Sequence, residues 1–277
     1  MTGERVVVVG NGVSGFACAA RLADAGVPVT MIGPGLPHDR PPLSKRALAS
    51  GAVPWLADAA ALAARRVDHL DGRVETINLK RRRLGVATAG AGDVEVAVDG
   101  PLVWATGLAP MPLEVPGGER AVSIATAAGM LAASAQLAEA GRSVVVIGAG
   151  LIGCEAAATL ARRHRVWLLE RGGRPVERLG PVVAGAVERA LAAAGVTVLT
   201  GCRVGSVGTA AVETETHGSI AADVVIAAAG VDAALPLALA PAGSRSLEVD
   251  GRLRVAGADG VWACGDLAAF EHPRHGR

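Results

Sequence analysis

Six glycines in two groups of identical spacing are the residues of this sequence that most clearly predict chemistry. Each group follows a run of valine and isoleucine. The two groups are Gly10, Gly12 and Gly15 in VVVVGNGVSG, and Gly148, Gly150 and Gly153 in VVVIGAGLIG. In a strand–turn–helix unit, the first glycine makes the turn, the second lets a pyrophosphate approach the backbone, and the third lets the helix pack against the strand. The spacing therefore predicts two dinucleotide-binding turns.

The residues at the start of each predicted helix would supply the hydrogen-bond donors for a phosphate. Backbone N–H groups in the first turn of a helix have no partner within the helix, and they carry a partial positive charge. We therefore assign Val13, Ser14, Leu151 and Ile152 to the binding sites together with the glycines.

A carboxylate about 20 residues after the turn normally binds the ribose hydroxyls of the dinucleotide, and the two copies differ there. The second copy has Glu170, whereas the first copy reads MIGPG at residues 31–35, and its nearest carboxylate is Asp39. Glu170 favours NADH, because a carboxylate repels the 2′-phosphate of NADPH. Arg171 and Arg174 would favour NADPH, because guanidinium groups bind phosphate.

The elements that would position these residues form an internal repeat. Residues 6–32 and residues 144–170 each predict a buried strand, a glycine turn, an alanine-rich helix and a second strand. Further buried strands that end in glycine turns are predicted at 102–107, 223–230 and 260–266. Strands that alternate with helices predict an α/β fold with parallel sheets.

Length, charge and composition argue against several other classes of protein. A chain of 277 residues predicts about two domains. Lys+Arg 27 against Asp+Glu 26 gives no overall field for nucleic acid or a membrane, and 2% aromatic residues argue against a base-stacking surface. No apolar run is long enough to cross a bilayer. The four scattered cysteines form no CxxC motif, which predicts reduced thiols, no metal site and a cytoplasmic location.

Five motifs in a fixed order resemble those of the pyridine nucleotide–disulfide oxidoreductases, which are flavoproteins with two dinucleotide-binding domains. The motifs are VVVVGNGVSG, DRPPLSK, LVWATG, VVVIGAGLIGCE and GVWACGD. The resemblance is greatest to the ferredoxin and rubredoxin reductases. It implies two Rossmann-like domains of the three-layer ββα type, the second inserted in the first. The FAD-binding domain would comprise residues 1–112 and 231–277, and the NAD(P)H-binding domain residues 113–230.

The resemblance also implies roles for particular residues. Those assigned to FAD are Gly10, Gly12, Gly15, Arg40, Lys45, Ala105, Thr106, Gly107, Gly265 and Asp266. Those assigned to NADH or NADPH are Gly148, Gly150, Gly153 and Glu170. Lys45 would lie near the flavin N5 edge and stabilise the reduced ring, and Glu155 would hold Lys45 in place. These two residues are the predicted catalytic pair.

The implied activity is electron transfer from NADH, or alternatively NADPH, through FAD to a small acceptor such as a ferredoxin or rubredoxin. Two alternatives remain. One is a flavin-dependent oxidase or reductase of a small molecule, and the other is a non-catalytic dinucleotide-binding partner subunit. No redox-active cysteine pair is predicted, and Ser44 stands near the position of the cysteine in peroxide and coenzyme-A-disulfide reductases, which argues against those activities.

Three departures from the family pattern affect the expected FAD site. The ribose acid of the first copy is missing, and residues 230–236 read GVDAALP where the family usually has a Pro-Asn pair. The sequence also ends shortly after Asp266, without the C-terminal interface domain of the family. We therefore expect weak retention of FAD and an apolar surface beside the flavin, covered by a second copy or a partner subunit.

Overall fold

The structure is a computed structural model that describes residues 4–88, 90, 92–233, 235–236, 238–240, 243–272, 274 and 276. Strands and helices are numbered in chain order. The strands are β1 Val6–Val9, β2 Val29–Gly33, β3 Val67–Asn78, β4 Arg83–Thr88, β5 Gly92–Ala97, β6 Leu102–Trp104, β7 Leu108–Pro110, β8 Val122–Ser123, β9 Ser143–Ile147, β10 Arg165–Leu169, β11 Thr197–Leu199, β12 Val204–Val207, β13 Ala211–Thr214, β14 Gly218–Ala221, β15 Val224–Ala227, β16 Val231–Ala233, β17 Leu247–Glu248, β18 Val261–Ala263 and β19 Ala268–Ala269.

The helices are short, and three of them are 3₁₀ helices. The α-helices are α1 Val13–Asp24, α2 Arg46–Ser50, α3 Ala59–Ala64, α4 Ala127–Gln136, α5 Leu151–Leu160 and α6 Pro181–Ala193. The 3₁₀ helices are Pro41–Ser44, Gly118–Arg120 and Glu177–Leu179. Among the described residues, no helix combines the length and the apolar character that a membrane crossing requires.

The chain forms two compact units. The first comprises the described residues of Met1–Asp39, Trp55–Ala109 and Asp232–Arg277, and the second comprises Arg40–Pro54 and Pro110–Val231. The mixed α/β architecture confirms the predicted fold class.

The first unit is built on a sheet in the order β18-β6-β1-β2-β3-β4-β5. Strands from β18 to β3 are parallel, and β4 and β5 extend the sheet antiparallel to the second half of β3. All four valines of β1 are buried, as expected of a parallel strand covered on both faces. Val6 and Val8 pack with α1 and α3, whereas Val7 and Val9 pack with β4.

The second unit repeats this arrangement with a parallel sheet in the order β11-β10-β9-β15-β8 and an antiparallel sheet β12-β13-β14. Val144 and Val146 of β9 pack with the helices, and Val145 and Ile147 pack with the antiparallel strands. Each unit therefore has helices, a parallel sheet and antiparallel strands in three layers.

The segment from Arg40 to Pro54 differs from its predicted placement. The predicted domain boundaries assign it to the FAD-binding domain, whereas it packs within the second unit. The segment packs there because its apolar side chains join the core of that unit. Leu43, Ala47 and Leu48 are buried in the same core as Met130 of α4. The roles of the two units in cofactor binding remain predictions.

Candidate dinucleotide-binding sites

The first glycine turn lies between β1 and α1, and packing requires two of its three glycines. Gly10 has φ +109°, and a Cβ there would lie within 3.0 Å of the Ala105 carbonyl. A Cβ at Gly15 would lie within 3.0 Å of the Gly10 carbonyl oxygen. The turn is therefore held against the end of β6, and the helix is held against the turn.

The second glycine turn, between β9 and α5, has the same geometry. Gly148 has φ +101°, and a Cβ there would lie within 3.0 Å of the Ala228 carbonyl at the end of β15. A Cβ at Gly153 would lie within 3.0 Å of the Gly148 carbonyl oxygen. The two turns are thus equivalent in their packing as well as in their spacing.

The middle glycines, Gly12 and Gly150, are different because no packing requires them. Each is the N-cap of its helix, and a Cβ at either would meet no atom within 4 Å. No side chain caps either helix, and neither first turn contains an acidic residue. Open space in front of uncapped N–H groups is what the pyrophosphate of a dinucleotide requires. The residues present therefore fit FAD or a nicotinamide dinucleotide.

The neighbouring residues of the first helical turns are accessible. Val13 is 46% exposed, Leu151 58% and Ile152 37%, whereas most apolar residues of the adjacent strands are buried. Ser14 lies against Gly265 after β18, where a Cβ on that glycine would be 2.7 Å from Ser14 Oγ.

The other residues predicted to bind FAD within the first unit follow β6 and β18. Ala105 donates its N–H to the Val9 carbonyl at 2.7 Å, and Thr106 and Gly107 follow it in the chain. Gly265 and Asp266 follow β18 and are exposed. Since β6 and β18 are parallel to β1, these residues and the first glycine turn lie at the carboxyl edge of one sheet. Ligands of open α/β sheets bind at this edge.

Glu170 follows β10 and closes the second glycine turn. Its Oε2 accepts the Ala149 N–H at 2.9 Å, and its Oε1 accepts the Gly172 N–H at 2.7 Å. Arg174 forms a bidentate pair with Glu188, with N–O distances of 3.0 and 2.8 Å. That pair raises the pKa of Arg174. The Glu170 carboxylate thus lies beside the turn. Arg174, which the sequence suggests as a ligand for the 2′-phosphate of NADPH, is already paired with Glu188.

The residue equivalent to Glu170 in the first copy is Gly33. The alignment of residues 6–32 with residues 144–170 without a gap matches Glu170 with Ile32, and the structure corrects it. Gly10 donates its N–H to the Ile32 carbonyl at 2.7 Å, and Gly148 donates to the Leu169 carbonyl at 2.8 Å. Ile32 therefore corresponds to Leu169. The connection from turn to second strand is one residue longer in the first copy.

Lys45 and Glu155 are brought together within the second unit. Lys45 Nζ lies 3.0 Å from Glu155 Oε2, and Ser44 Oγ donates to the same oxygen at 2.6 Å. Lys45 Nζ also donates to the Pro41 carbonyl at 3.2 Å. Arg40 immediately precedes this 3₁₀ helix. The lysine is therefore held by a carboxylate and a backbone carbonyl, and its catalytic role remains a prediction.

The four cysteines are all free thiols, and two of them interact. The interaction with the Cys264 thiol lowers the pKa of Cys18 to about 7, and the same interaction raises the pKa of Cys264. Burial, followed by the charges of Glu170 and Glu155, raises the pKa of Cys154 to about 11. Sequence spacing could not reveal the first pair, because α1 and the end of β18 are far apart in the chain.

Comparison with known proteins agrees with this geometry. The sequence profile of the pyridine nucleotide-disulphide oxidoreductases matches residues 4–276. The ferredoxin–NAD(+) reductase component of the anthranilate 1,2-dioxygenase system of Burkholderia cepacia is 34% identical across 100% of this chain and 71% of its own length. Putidaredoxin reductase of Pseudomonas putida is 33% identical across 73% of this chain and 50% of its own length.

A solved structure extends the likeness to the whole described fold. The reductase in a covalent putidaredoxin reductase–putidaredoxin complex has a TM-score of 0.87 and 30% identity, over 99% of this chain and 70% of its own chain. Within the described ranges, no cluster of three or more histidine, cysteine or acidic side chains could hold a metal ion. The chain belongs to the pyridine nucleotide-disulphide oxidoreductase family.

Proposed function

We propose that this chain is an FAD-dependent oxidoreductase that takes electrons from NADH and passes them to a small ferredoxin-like protein. The observation that carries the proposal is the pair of equivalent glycine turns, each with open space in front of an uncapped helix. Two such turns in one chain provide for two dinucleotides, an electron carrier and an electron donor. FAD, when bound, accepts a hydride from NADH and releases the electrons one at a time.

The first unit is proposed to hold FAD. The N–H groups at the start of α1 bind the pyrophosphate, and Gly12 lets it approach the backbone. Asp266 and the segment from Ala105 to Gly107 bind the remaining polar groups, since they follow strands of the same sheet. Protein groups here supply position and electrostatic environment rather than the redox chemistry itself.

The second unit is proposed to hold NADH. Gly150 and the first turn of α5 bind the pyrophosphate, and Glu170 accepts hydrogen bonds from the adenosine ribose. Two backbone N–H groups fix the Glu170 carboxylate, so its orientation is set before the nucleotide binds. The pairing of Arg174 with Glu188 removes one guanidinium that could have bound the 2′-phosphate of NADPH.

Lys45 is proposed as the positive charge that stabilises the reduced flavin. Its three ammonium protons allow bonds to Glu155 and Pro41 and leave one proton for another acceptor. A fixed cation stabilises developing negative charge more than a mobile one, because it requires no reorganisation during the reaction. Glu155 and Ser44 then act as positioning residues.

The electron acceptor and the location are inferred by analogy. The similar proteins are named as reductases of ferredoxin and putidaredoxin, and we propose a small acceptor protein of this kind. The free thiols support a reducing compartment, and we propose the cytoplasm.

The test is a spectroscopic titration of the purified full chain. We expect added FAD to bind, the visible flavin absorbance to disappear on anaerobic addition of NADH, and the absorbance to return on addition of an oxidised ferredoxin or rubredoxin. Return only with oxygen or a small organic acceptor would instead support the alternative of a small-molecule reductase or oxidase. Failure to bind FAD would overturn the proposal and favour a non-catalytic partner subunit.

A further inference from the structure

The internal repeat permits a residue-by-residue comparison of the two ribose sites. Because Gly33 is equivalent to Glu170, the residue two positions later in the first copy, Gly35, is equivalent to Gly172. Both glycines donate their N–H to a carboxylate. Gly172 donates to Glu170 Oε1 at 2.7 Å, and Gly35 donates to Asp71 Oδ1 at 2.8 Å. The same backbone donor is thus satisfied by an acidic side chain in both copies.

The two carboxylates come from different strands. Glu170 follows β10, the second strand of its copy, whereas Asp71 lies in β3, where it pairs in parallel register with Gly33. The acid that the sequence pattern lacks after β2 is therefore supplied by the neighbouring strand. Asp71 is the last residue of β3 that pairs with β2, so it lies at the carboxyl edge of the parallel part of the sheet, next to the strand from which the acid is missing.

The side chain of Asn11 explains why no acid follows β2. A Cβ at Gly33 would lie within 3.0 Å of the Asn11 amide, so that position has no room for a side chain. Asn11 is 7% exposed, and its Nδ2 donates to the carbonyls of Pro34 at 3.2 Å and Gly35 at 2.6 Å. The equivalent residue in the second copy is Ala149, whose small side chain leaves the space that Glu170 occupies.

Asp71 retains acceptor capacity for a ligand. A carboxylate can accept about four hydrogen bonds, and the bond from Gly35 uses one position on Oδ1. Asp71 is exposed, and within the described ranges no lysine or arginine forms an ion pair with it. Hydroxyl donors could therefore approach Oδ2 without displacing a protein partner.

We propose that Asp71 binds the adenosine ribose hydroxyls of FAD in the first unit and replaces the acid missing after β2. The inference rests on the proposed function, because it assigns FAD to this unit. The ribose hydroxyls donate to Asp71, as those of NADH donate to Glu170. Asn11 fills the space that an acidic side chain at position 33 would need, and Gly33 leaves room for Asn11, so the carboxylate comes from β3.

The test measures dissociation constants rather than turnover. The variant Asp71→Asn keeps an oxygen that can accept the Gly35 N–H, and its thermal unfolding without ligand is compared with that of the wild type. The control is Glu75→Gln, which removes another exposed carboxylate of β3. Binding is followed by flavin fluorescence for FAD and for an FAD analogue that carries 2′,3′-dideoxyadenosine.

We expect Asp71→Asn to weaken FAD binding about tenfold, or about 1.4 kcal/mol, and the control variant to bind FAD as the wild type does. The wild type should bind the dideoxy analogue about tenfold more weakly than FAD, and Asp71→Asn should bind the two equally. Equal FAD affinity of Asp71→Asn and the wild type would overturn the assignment while leaving the proposed function intact. A wild type that binds no FAD would overturn both.

A reciprocal variant separates the two sites. Glu170→Gln should weaken NADH binding and leave the FAD dissociation constant unchanged, whereas Asp71→Asn should do the opposite. Asp71 would have a structural role only if Asp71→Asn weakened the binding of both nucleotides equally. The same would follow if the variant lost as much free energy of unfolding as free energy of FAD binding.

Discussion

Substitution of the middle and last glycines of the second turn should separate binding from folding. Gly150→Ala adds a methyl group where no atom lies within 4 Å, and the residue has φ −72° and ψ −176°, which alanine adopts freely. Gly153→Ala adds the same group within 3.0 Å of the Gly148 carbonyl oxygen. Both variants add one methyl group, at positions three residues apart, so they differ in what that methyl group meets.

The expected magnitudes follow from these contacts. For Gly153→Ala, helix propensity contributes a gain of about 1 kcal/mol, and overpacking against the backbone costs about 3 kcal/mol. The net loss of about 2 kcal/mol corresponds to a fall in Tm of about 5 °C. For Gly150→Ala, the lower conformational entropy of the unfolded chain stabilises the fold and offsets the weaker N-cap, so the free energy of unfolding should change by less than about 0.5 kcal/mol.

NADH affinity should fall in Gly150→Ala, the variant whose stability changes little. The methyl group of Gly150→Ala occupies the space in front of the α5 N–H groups, so we expect the Kd for NADH to rise at least about tenfold, or 1.4 kcal/mol. Thermal unfolding without nucleotide and NADH fluorescence titration measure the two effects separately. A Gly150→Ala variant that binds NADH as tightly as the wild type would refute the placement of the pyrophosphate, and one as unstable as Gly153→Ala would refute the packing argument.

The remaining predictions concern the lysine, the nicotinamide cofactor and the thiol pair. Lys45→Met should slow flavin reduction by NADH about tenfold, or about 1.4 kcal/mol. Stopped-flow absorbance measures this rate, and an exposed-lysine control, Lys80→Met, should retain the wild-type value. The wild type should show a higher kcat/KM with NADH than with NADPH, and Glu170→Gln should narrow the ratio; a wild-type preference for NADPH would contradict the role of the carboxylate. Because the Cys18 pKa is lowered to about 7, its alkylation by iodoacetamide should rise through that pH, and Cys264→Ala should move the rise to higher pH. Peptide mass spectrometry measures the alkylation, and identical pH profiles of the two proteins would contradict an interaction between the two thiols.

The sequence predicted the fold well because its strongest signals are local. Each glycine group lies between a strand and a helix that directly adjoin it, and the four valines of β1 indicate a strand covered on both faces. The repeat then implies two units of the same construction. None of these conclusions depends on knowing which distant residues pack together.

Features that depend on distant partners could not be predicted in the same way. Asp71 is an unremarkable acid in the sequence, and only the register of β3 against β2 places it beside Gly35. The bidentate pair that occupies Arg174 likewise requires the position of Glu188 on α6. The sequence of residues 40–54 likewise does not indicate which of the two cores its apolar residues join.

The path of the chain between the two units has a consequence for the synthesis of the protein. The chain passes from one unit to the other four times, after residues 39, 54, 109 and 231. The second unit needs Leu43 and Leu48 from an early segment to complete its core, and the first unit needs β18 to complete its sheet. Neither unit can therefore mature as an independent segment of the nascent chain. Residues 110–231 expressed alone would leave a gap in their apolar core, and ribosome-bound chains that end before β18 would expose the edge of β6 to aggregation.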